Sequence, residues 1–176
     1  MNRYDLVVIG GGTAGMTAAV GAAGLGARVL LAEAGRMGGD CLWTGCVPSK
    51  SLIAAARRAH DMRTADRVGL APAEPEVDLQ RVMGRVREVI ATIEPHDSPE
   101  RLRTQGVEVV AAYARFVRPG RLDIDGRQVR YRSALIATGS TPVLPPIEGL
   151  DEVQPLTTDT LWDLPELPSR LVILGG

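Results

Sequence analysis

The first third of the chain alternates between apolar runs and small-residue helical stretches, as α/β proteins do. Residues 4–9 form an apolar run of strand length, and an alanine-rich helical stretch follows over residues 16–26. A second apolar run over residues 28–32 ends at Glu33. Strand, helix and strand within about 30 residues predict a βαβ unit whose two strands are parallel.

Three further helical segments precede the next predicted strand, residues 107–110. Each begins near a residue that suits the cap or the first turn of a helix. The predicted helices are residues 48–67, with Pro48 in the first turn; residues 79–93, capped by Asp78; and a short helix capped by Asp97 or Ser98 and ended by Gly106.

A meander of short antiparallel strands is predicted next, because turn dipeptides separate alternating segments. Its strands are residues 113–117, 121–124 and 128–132. Residues 134–139 then form an apolar run suited to a buried strand that ends in a glycine turn. The predicted fold class is α/β, with a Rossmann-like parallel sheet and a crossover antiparallel β-meander.

The turn after the first strand carries the glycine spacing of a dinucleotide-binding site. Gly10, Gly12 and Gly15 form G-x-G-x-x-G between strand and helix. The first glycine permits a tight turn, the second lets the backbone approach a pyrophosphate, and the third brings the helix close to the strand. The helix N-terminus stabilises phosphate charge. Glu33, about 20 positions on, can accept hydrogen bonds from ribose hydroxyls; a solvated carboxylate is the alternative.

The only two cysteines, Cys41 and Cys46, lie within the segment GGDCLWTGCVPSK of residues 38–50. On an undistorted helix their Cα atoms would be roughly 8.6 Å apart, whereas a disulfide needs about 4.4–6.8 Å. The glycines of the segment allow the tighter turn that bridging needs. Because Pro48 suits the first turn of a helix, Cys46 is predicted at a helix N-terminus, which favours a thiolate and redox chemistry.

Two other interpretations of the cysteine pair stay open on the residues alone. A structural disulfide and two buried free thiols are both compatible with the spacing. A zinc site is disfavoured, because two cysteines and the distant His60 and His96 do not make a compact set of four ligands. No metal site is therefore predicted.

Together, the glycine motif, Glu33 and the segment GGDCLWTGCVPSK resemble the class I pyridine nucleotide–disulfide oxidoreductases, and the resemblance covers the whole chain. That family includes dihydrolipoamide dehydrogenase, glutathione reductase and mercuric reductase. The family usually has Thr at the position of Asp40 and Asn-Val at that of Trp43-Thr44. These departures, with HDSPER at residues 96–101, are most similar to the mercuric-reductase-like branch.

The resemblance implies that the first dinucleotide is FAD and that NAD(P)H binds a second, later fold. Ala112 stands where the family commonly has a glycine. The cofactor-binding residues that the resemblance and the motif imply are Gly10, Gly12, Thr13, Ala14, Gly15, Glu33, Gly39, Asp40, Cys41, Lys50, Tyr113, Ala114, Ala137, Thr138 and Gly139.

Three residues are expected to be catalytic: Cys41, Cys46 and Lys50. The helix N-terminus and the resemblance both assign to Cys46 the thiolate that faces the flavin, which leaves Cys41 as the interchange thiol for an outside substrate. Lys50, one turn beyond Cys46, would place positive charge near the isoalloxazine; an ordinary helix-surface lysine is the alternative. Trp43, between the cysteines, suits either substrate access or packing.

The implied function is that of an FAD-dependent disulfide oxidoreductase, of which this chain is the N-terminal half. Electrons pass from NAD(P)H via FAD to the Cys41–Cys46 disulfide, and then to a thiol or disulfide, a metal ion or a quinone. The alternative is a truncated FAD-binding module without the catalytic cycle. We expect the 176-residue chain alone to be inactive and the full-length family to be homodimeric.

The last residues of the chain repeat the pattern of the first strand. RLVILGG at residues 170–176 matches LVVIGG at residues 6–11, which predicts the first strand of a second, NAD(P)-binding domain. Residues 1–150 are then the FAD-binding domain with the redox disulfide. Residues 151–169 form a linker that contains a short helix over residues 160–164.

The resemblance implies a small-molecule or thiol/disulfide substrate as the partner, and composition and charge indicate no other class of partner. The formal net charge is −1 and no basic stripe stands out, so nucleic acid is not expected to bind. The apolar stretches are too short for a membrane span and no signal peptide precedes the first strand, which predicts a cytoplasmic location. Aromatic residues make up only 3% of the chain, so the core must rely on Val, Leu, Ile and Ala.

Overall fold

The computed structural model describes residues 3–175 and contains a six-stranded sheet. Its strands are β1 (Arg3–Ile9), β2 (Val29–Glu33), β3 (Val107–Ala111), β4 (Ala114–Arg118), β5 (Arg121–Ile124) and β6 (Arg127–Ile136). They lie in the order β3-β2-β1-β6-β5-β4. Strands β3, β2, β1 and β6 are parallel to one another. β6 also pairs with β5, and β5 with β4, to form the antiparallel meander. The predicted α/β fold class is confirmed.

Five α-helices connect the parallel strands. They are α1 (Thr13–Gly24), α2 (Gly39–Trp43), α3 (Cys46–Arg63), α4 (Leu79–Ile93) and α5 (Pro99–Thr104). Asp78 caps α4 by accepting the Arg81 N–H at 3.2 Å, and Ser98 caps α5 by accepting the Arg101 N–H at 3.2 Å. The predicted bounds of α4 are confirmed, and Ser98 rather than Asp97 is the cap of α5. Within residues 3–175, no helix is long and apolar enough to cross a bilayer.

An apolar cluster lies on each face of the sheet, so its central strands are buried on both sides. On one face, Val8 and Leu31 pack with Ala19 of α1 and Leu102 of α5. On the other face, apolar side chains of the meander pack against the central strands; this cluster contains Tyr4, Val7, Leu30, Ala32, Leu122, Ile124 and Val129. The core of the sheet is thus mainly aliphatic, as the composition predicts.

Two predicted boundaries are wrong. Separate strands are predicted over residues 128–132 and 134–139, but β6 runs through both segments without a break and ends at Ile136. No turn is needed there, because the first half of β6 pairs with β5 and the second half pairs with β1. The helix predicted over residues 48–67 ends earlier, at Arg63, and a 3₁₀ turn over Ala65–Val68 follows it.

The chain after β6 is largely irregular. Its 3₁₀ helix, Leu161–Asp163, lies within the helix predicted over residues 160–164. Residues 171–175 form no strand, and the apolar side chains of residues 171–174 are exposed. A strand is stabilised by hydrogen bonds to a neighbouring strand, and the structure pairs none with this segment. The predicted first strand of a second domain is therefore absent from residues 170–175.

The division of the chain into residues 1–150, 151–169 and 170–176 stays a prediction. Residues 1, 2 and 176 of that division lie outside the described residues.

Candidate functional site

The predicted dinucleotide site lies at the point where the direction of chain connection across the sheet reverses. From β1 the chain proceeds to β2 and β3 on one side, while β6 pairs with β1 on the other. Such a switch point leaves a crevice outside the carboxyl ends of the parallel strands, where nucleotides bind in this class of fold. Gly10 follows β1 there, and Ala137 follows β6 and donates its N–H to the Ile9 carbonyl at 2.8 Å. Two of the predicted cofactor segments therefore lie side by side.

The N-terminus of α1 supplies an anion site at this crevice. Thr13 and Ala14 form its exposed first turn, which contains no acidic side chain, and Gly12 precedes it as the cap residue. The first N–H groups of a helix have no partner inside the helix. They are therefore free to bind an anion such as a pyrophosphate, which the helix dipole also favours.

Gly12 and Gly15 of the motif are subject to different structural constraints. A Cβ on Gly15 would overlap the Gly10 carbonyl oxygen, so the packing of α1 on β1 requires glycine at position 15. A Cβ on Gly12 would meet only the Cα of Gly39, at 3.7 Å. Gly12 also has an extended backbone that any residue adopts, with φ −78° and ψ −176°. The fold does not require glycine at position 12, but a ligand that approached the backbone there would.

Backbone N–H groups hold the Glu33 carboxylate at the end of β2. Its Oε2 accepts the Gly11 N–H at 2.5 Å and its Oε1 accepts the Gly35 N–H at 2.6 Å. Glu33 also lines a cavity of about 330 Å³. A carboxylate offers about four acceptor positions, so Glu33 can bind ribose hydroxyls and keep both backbone bonds. It is not the freely solvated carboxylate of the alternative interpretation.

The far wall of this cavity was not predicted from the sequence. It comes from the segment that joins α4 to α5 and from α5 itself; its residues are Glu94, Asp97, Ser98, Pro99, Glu100 and Arg103. Burial raises the pKa of the Asp97 carboxyl above its ordinary value. Arg36 also lines the cavity, and its guanidinium stacks 3.3 Å from the centre of the Trp43 ring. Arg36 is only three residues from Glu33 in the sequence, whereas no local pattern places residues 94–103 beside Glu33.

The two cysteines lie on different helices: Cys46 begins a helix, α3, as predicted, whereas Cys41, expected in a loop, lies on the short helix α2. At the junction, the N–H groups of Thr44 and Gly45 both donate to the Asp40 carbonyl, at 3.0 and 2.5 Å. This carbonyl ends α2 and lets the chain turn before α3 begins. Asp40 thus acts in the junction through its backbone, and the residue is exposed.

Both cysteines are free thiols in the structure, Cys41 half-buried and Cys46 exposed. The pKa of Cys41 is raised above its ordinary value, mainly by its hydrogen bond with Cys46 and next by desolvation. The Thr13 hydroxyl and the charge of Lys50 lower the pKa of Cys41 and so partly oppose this rise. A proton that stays on Cys41 is compatible with the predicted roles, in which Cys46 is the thiolate.

The cysteine loop, residues 38–46, contacts the glycine turn, residues 10–15, although the two are far apart in the sequence. The Gly38 N–H donates to the Gly11 carbonyl at 2.9 Å, and Gly12 and Gly38 form an isolated parallel bridge. A Cβ on Gly39 would lie only 2.8 Å from the Cα of Gly12. The segment that carries the two thiols therefore contacts the turn that is predicted to bind the pyrophosphate.

The remaining predicted residues lie at the borders of the crevice. The Ala112 N–H donates to the Glu33 carbonyl at 2.9 Å, which places the turn before β4 beside Glu33. In that turn Tyr113 is 82% exposed, and Ala114 begins β4. Lys50 is an exposed residue on α3, and Thr138 and Gly139 are exposed after β6. Binding of a cofactor by each of these residues stays a prediction.

Known proteins share this combination of motif and fold. Residues 4–176 match the family model described as pyridine nucleotide-disulphide oxidoreductase. The chain is 36% identical to a mercuric reductase of Streptomyces lividans over 179 residues, which cover 98% of this chain and 38% of the relative. It is also 36% identical to a dihydrolipoyl dehydrogenase of Thermus scotoductus over 183 residues, which cover 100% of this chain and 38% of that relative.

A solved structure is similar as well. The Cu(II) complex of the HOCl-induced flavoprotein disulfide reductase RclA from Escherichia coli superposes with a TM-score of 0.73 at 28% identity. The superposition covers 93% of this chain and 34% of that one. The chain spans between 27% and 38% of the length of three mercuric reductases that it matches.

Proposed function

This chain belongs to the pyridine nucleotide-disulphide oxidoreductases, and from that premise we propose that it binds FAD and carries the redox-active disulfide, Cys41–Cys46, of a flavoprotein reductase. The contact between Gly12 and the cysteine loop at Gly38-Gly39 carries the proposal. It sets two thiols beside a helix N-terminus that suits phosphate.

The residues present fit the adenosine and pyrophosphate parts of FAD. The N–H groups of Thr13 and Ala14 would bind the pyrophosphate, with room beside Gly12 for its approach. Glu33 would accept hydrogen bonds from the ribose hydroxyls. When bound, the cofactor supplies the redox chemistry that links a nicotinamide to a disulfide.

The cysteines perform thiol–disulfide exchange in this proposal. Two electrons and two protons convert the Cys41–Cys46 disulfide into the dithiol that the structure contains. Because its pKa is raised, Cys41 must first give its proton to a base. The Cys41 thiolate then attacks a disulfide substrate and releases one thiolate, and Cys46 attacks Cys41 and releases the other. The second attack restores the Cys41–Cys46 disulfide.

For the whole protein we propose NAD(P)H as the electron donor and a thiol/disulfide, metal-ion or quinone acceptor. Relatives named glutathione reductase and mercuric reductase favour the first two acceptor classes. We also propose that the whole protein is a homodimer and is located in the cytoplasm.

Anaerobic titration with dithionite separates the proposed reductase from an FAD-binding module without redox cysteines. Wild-type protein loaded with FAD should take up about four electrons per flavin, two for the cofactor and two for the disulfide. Cys41→Ser cannot form the disulfide and should take up about two. A wild type that also accepts only two electrons would support the module instead.

Glu33→Ala should weaken FAD binding by about 1–3 kcal/mol, the range for hydrogen bonds to a charged group. Titration of flavin fluorescence measures the affinity. Glu108→Ala is the matched control, because Glu108 is also a hydrogen-bonded carboxylate on a strand, but it contacts Tyr4 and Arg127. Equal losses in both variants would assign the effect to the fold and remove Glu33 from the FAD site.

A further inference from the structure

The turn between the two cysteines is bonded by a residue more than a hundred positions along the chain. The indole Nε1 of Trp162 donates to the Thr44 carbonyl at 3.0 Å and to the Thr158 carbonyl at 2.8 Å. One shared N–H therefore ties the 3₁₀ helix Leu161–Asp163 to the junction of α2 and α3. Nothing in the local sequence pattern indicates this bond.

The segment that carries Trp162 is itself fixed to α4. Trp162 and Leu164 pack against an apolar cluster on that helix, formed by Leu79, Met83 and Val86. The side-chain amide of Gln80, also on α4, donates to the Pro165 carbonyl. The indole packs against α4 on one side and donates to the Thr44 carbonyl on the other. Trp162 can therefore restrain the position of Thr44 relative to α4.

We propose that Trp162 is a positioning residue for the Cys41–Cys46 pair and acts through the Thr44 carbonyl; this inference rests on the proposed redox role of that pair. The Thr44-Gly45 junction sets the position of α2 relative to α3, and hence of one thiol relative to the other. A fixed junction raises the effective concentration of each thiol for its partner. That favours the disulfide over the dithiol and makes its reduction potential more negative.

Trp162→Phe tests the proposal, because it removes the N–H and keeps an aromatic ring against α4. The protein is equilibrated in mixtures of reduced and oxidised dithiothreitol, and its thiols are trapped by alkylation. In this reaction the protein disulfide gains two electrons and two protons while dithiothreitol loses them and forms its cyclic disulfide. We expect a shift towards the protein dithiol of about 3- to 10-fold, the size of one lost hydrogen bond; tenfold corresponds to about 30 mV.

Leu164→Ala is the matched control, because it removes packing on the same α4 cluster without touching Thr44. It should lower the free energy of unfolding in urea and shift the redox equilibrium less than Trp162→Phe does, because the indole N–H bond to the Thr44 carbonyl remains. The proposal is overturned if Trp162→Phe leaves the equilibrium unchanged, if it favours the disulfide, or if Leu164→Ala shifts it equally. A wild type that forms no Cys41–Cys46 disulfide in the same mixtures would instead overturn the proposed function.

Discussion

A Gly12→Val variant is expected to fold like the wild type and to bind FAD more weakly by about 1–3 kcal/mol, or about 5- to 150-fold, as overpacking of a fitted site typically costs. Position 12 has an extended backbone, and the nearest atom to an added Cβ is the Gly39 Cα at 3.7 Å. The added side chain would lie beside Gly39 at the start of α1, where the pyrophosphate is proposed to bind.

Gly15→Ala is expected to affect the stability of the fold rather than FAD binding alone. Its Cβ would overlap the Gly10 carbonyl oxygen, so this variant should lose stability whether or not FAD is present. Urea unfolding and flavin titration of both variants separate the two effects. Equal FAD affinity in Gly12→Val and the wild type would contradict a pyrophosphate site at this turn.

The parts of the fold that could be predicted have signals that are local in the sequence. The turn from β1 to α1 follows from the motif glycines Gly10, Gly12 and Gly15, and α4 follows from its apolar stripe and from Asp78. The start of α3 near Cys46 follows from Pro48, which suits the first turn of a helix. In each case neighbouring residues determine the structure, so no distant partner has to be known.

The features that could not be predicted depend on distant partners. The length of β6 depends on pairing with β5 in one half and with β1 in the other. The bond from Trp162 to Thr44 and the cavity wall at Asp97 are products of tertiary packing. Residues 170–175 have strand-like composition, but they pair with no strand in the structure.

Cys41→Ser and Cys46→Ser each keep one thiol, but with FAD bound they are expected to give different absorption spectra. Cys46 is the exposed first residue of α3, at the positive end of the helix dipole. Lys50 adds positive charge one turn further along the same helix. In Cys41→Ser the thiolate that remains should therefore lie against the flavin and transfer charge to it. In Cys46→Ser the remaining thiol is the half-buried interchange group.

Whether the cysteine loop and the FAD site form one redox centre is tested most directly by the visible absorption spectra of these two variants, both loaded with FAD. The proposed centre predicts a long-wavelength charge-transfer band in Cys41→Ser and none in Cys46→Ser. A band in Cys46→Ser alone would reverse the roles of the two cysteines. The absence of the band from both variants, with FAD bound to each, would contradict a shared redox centre.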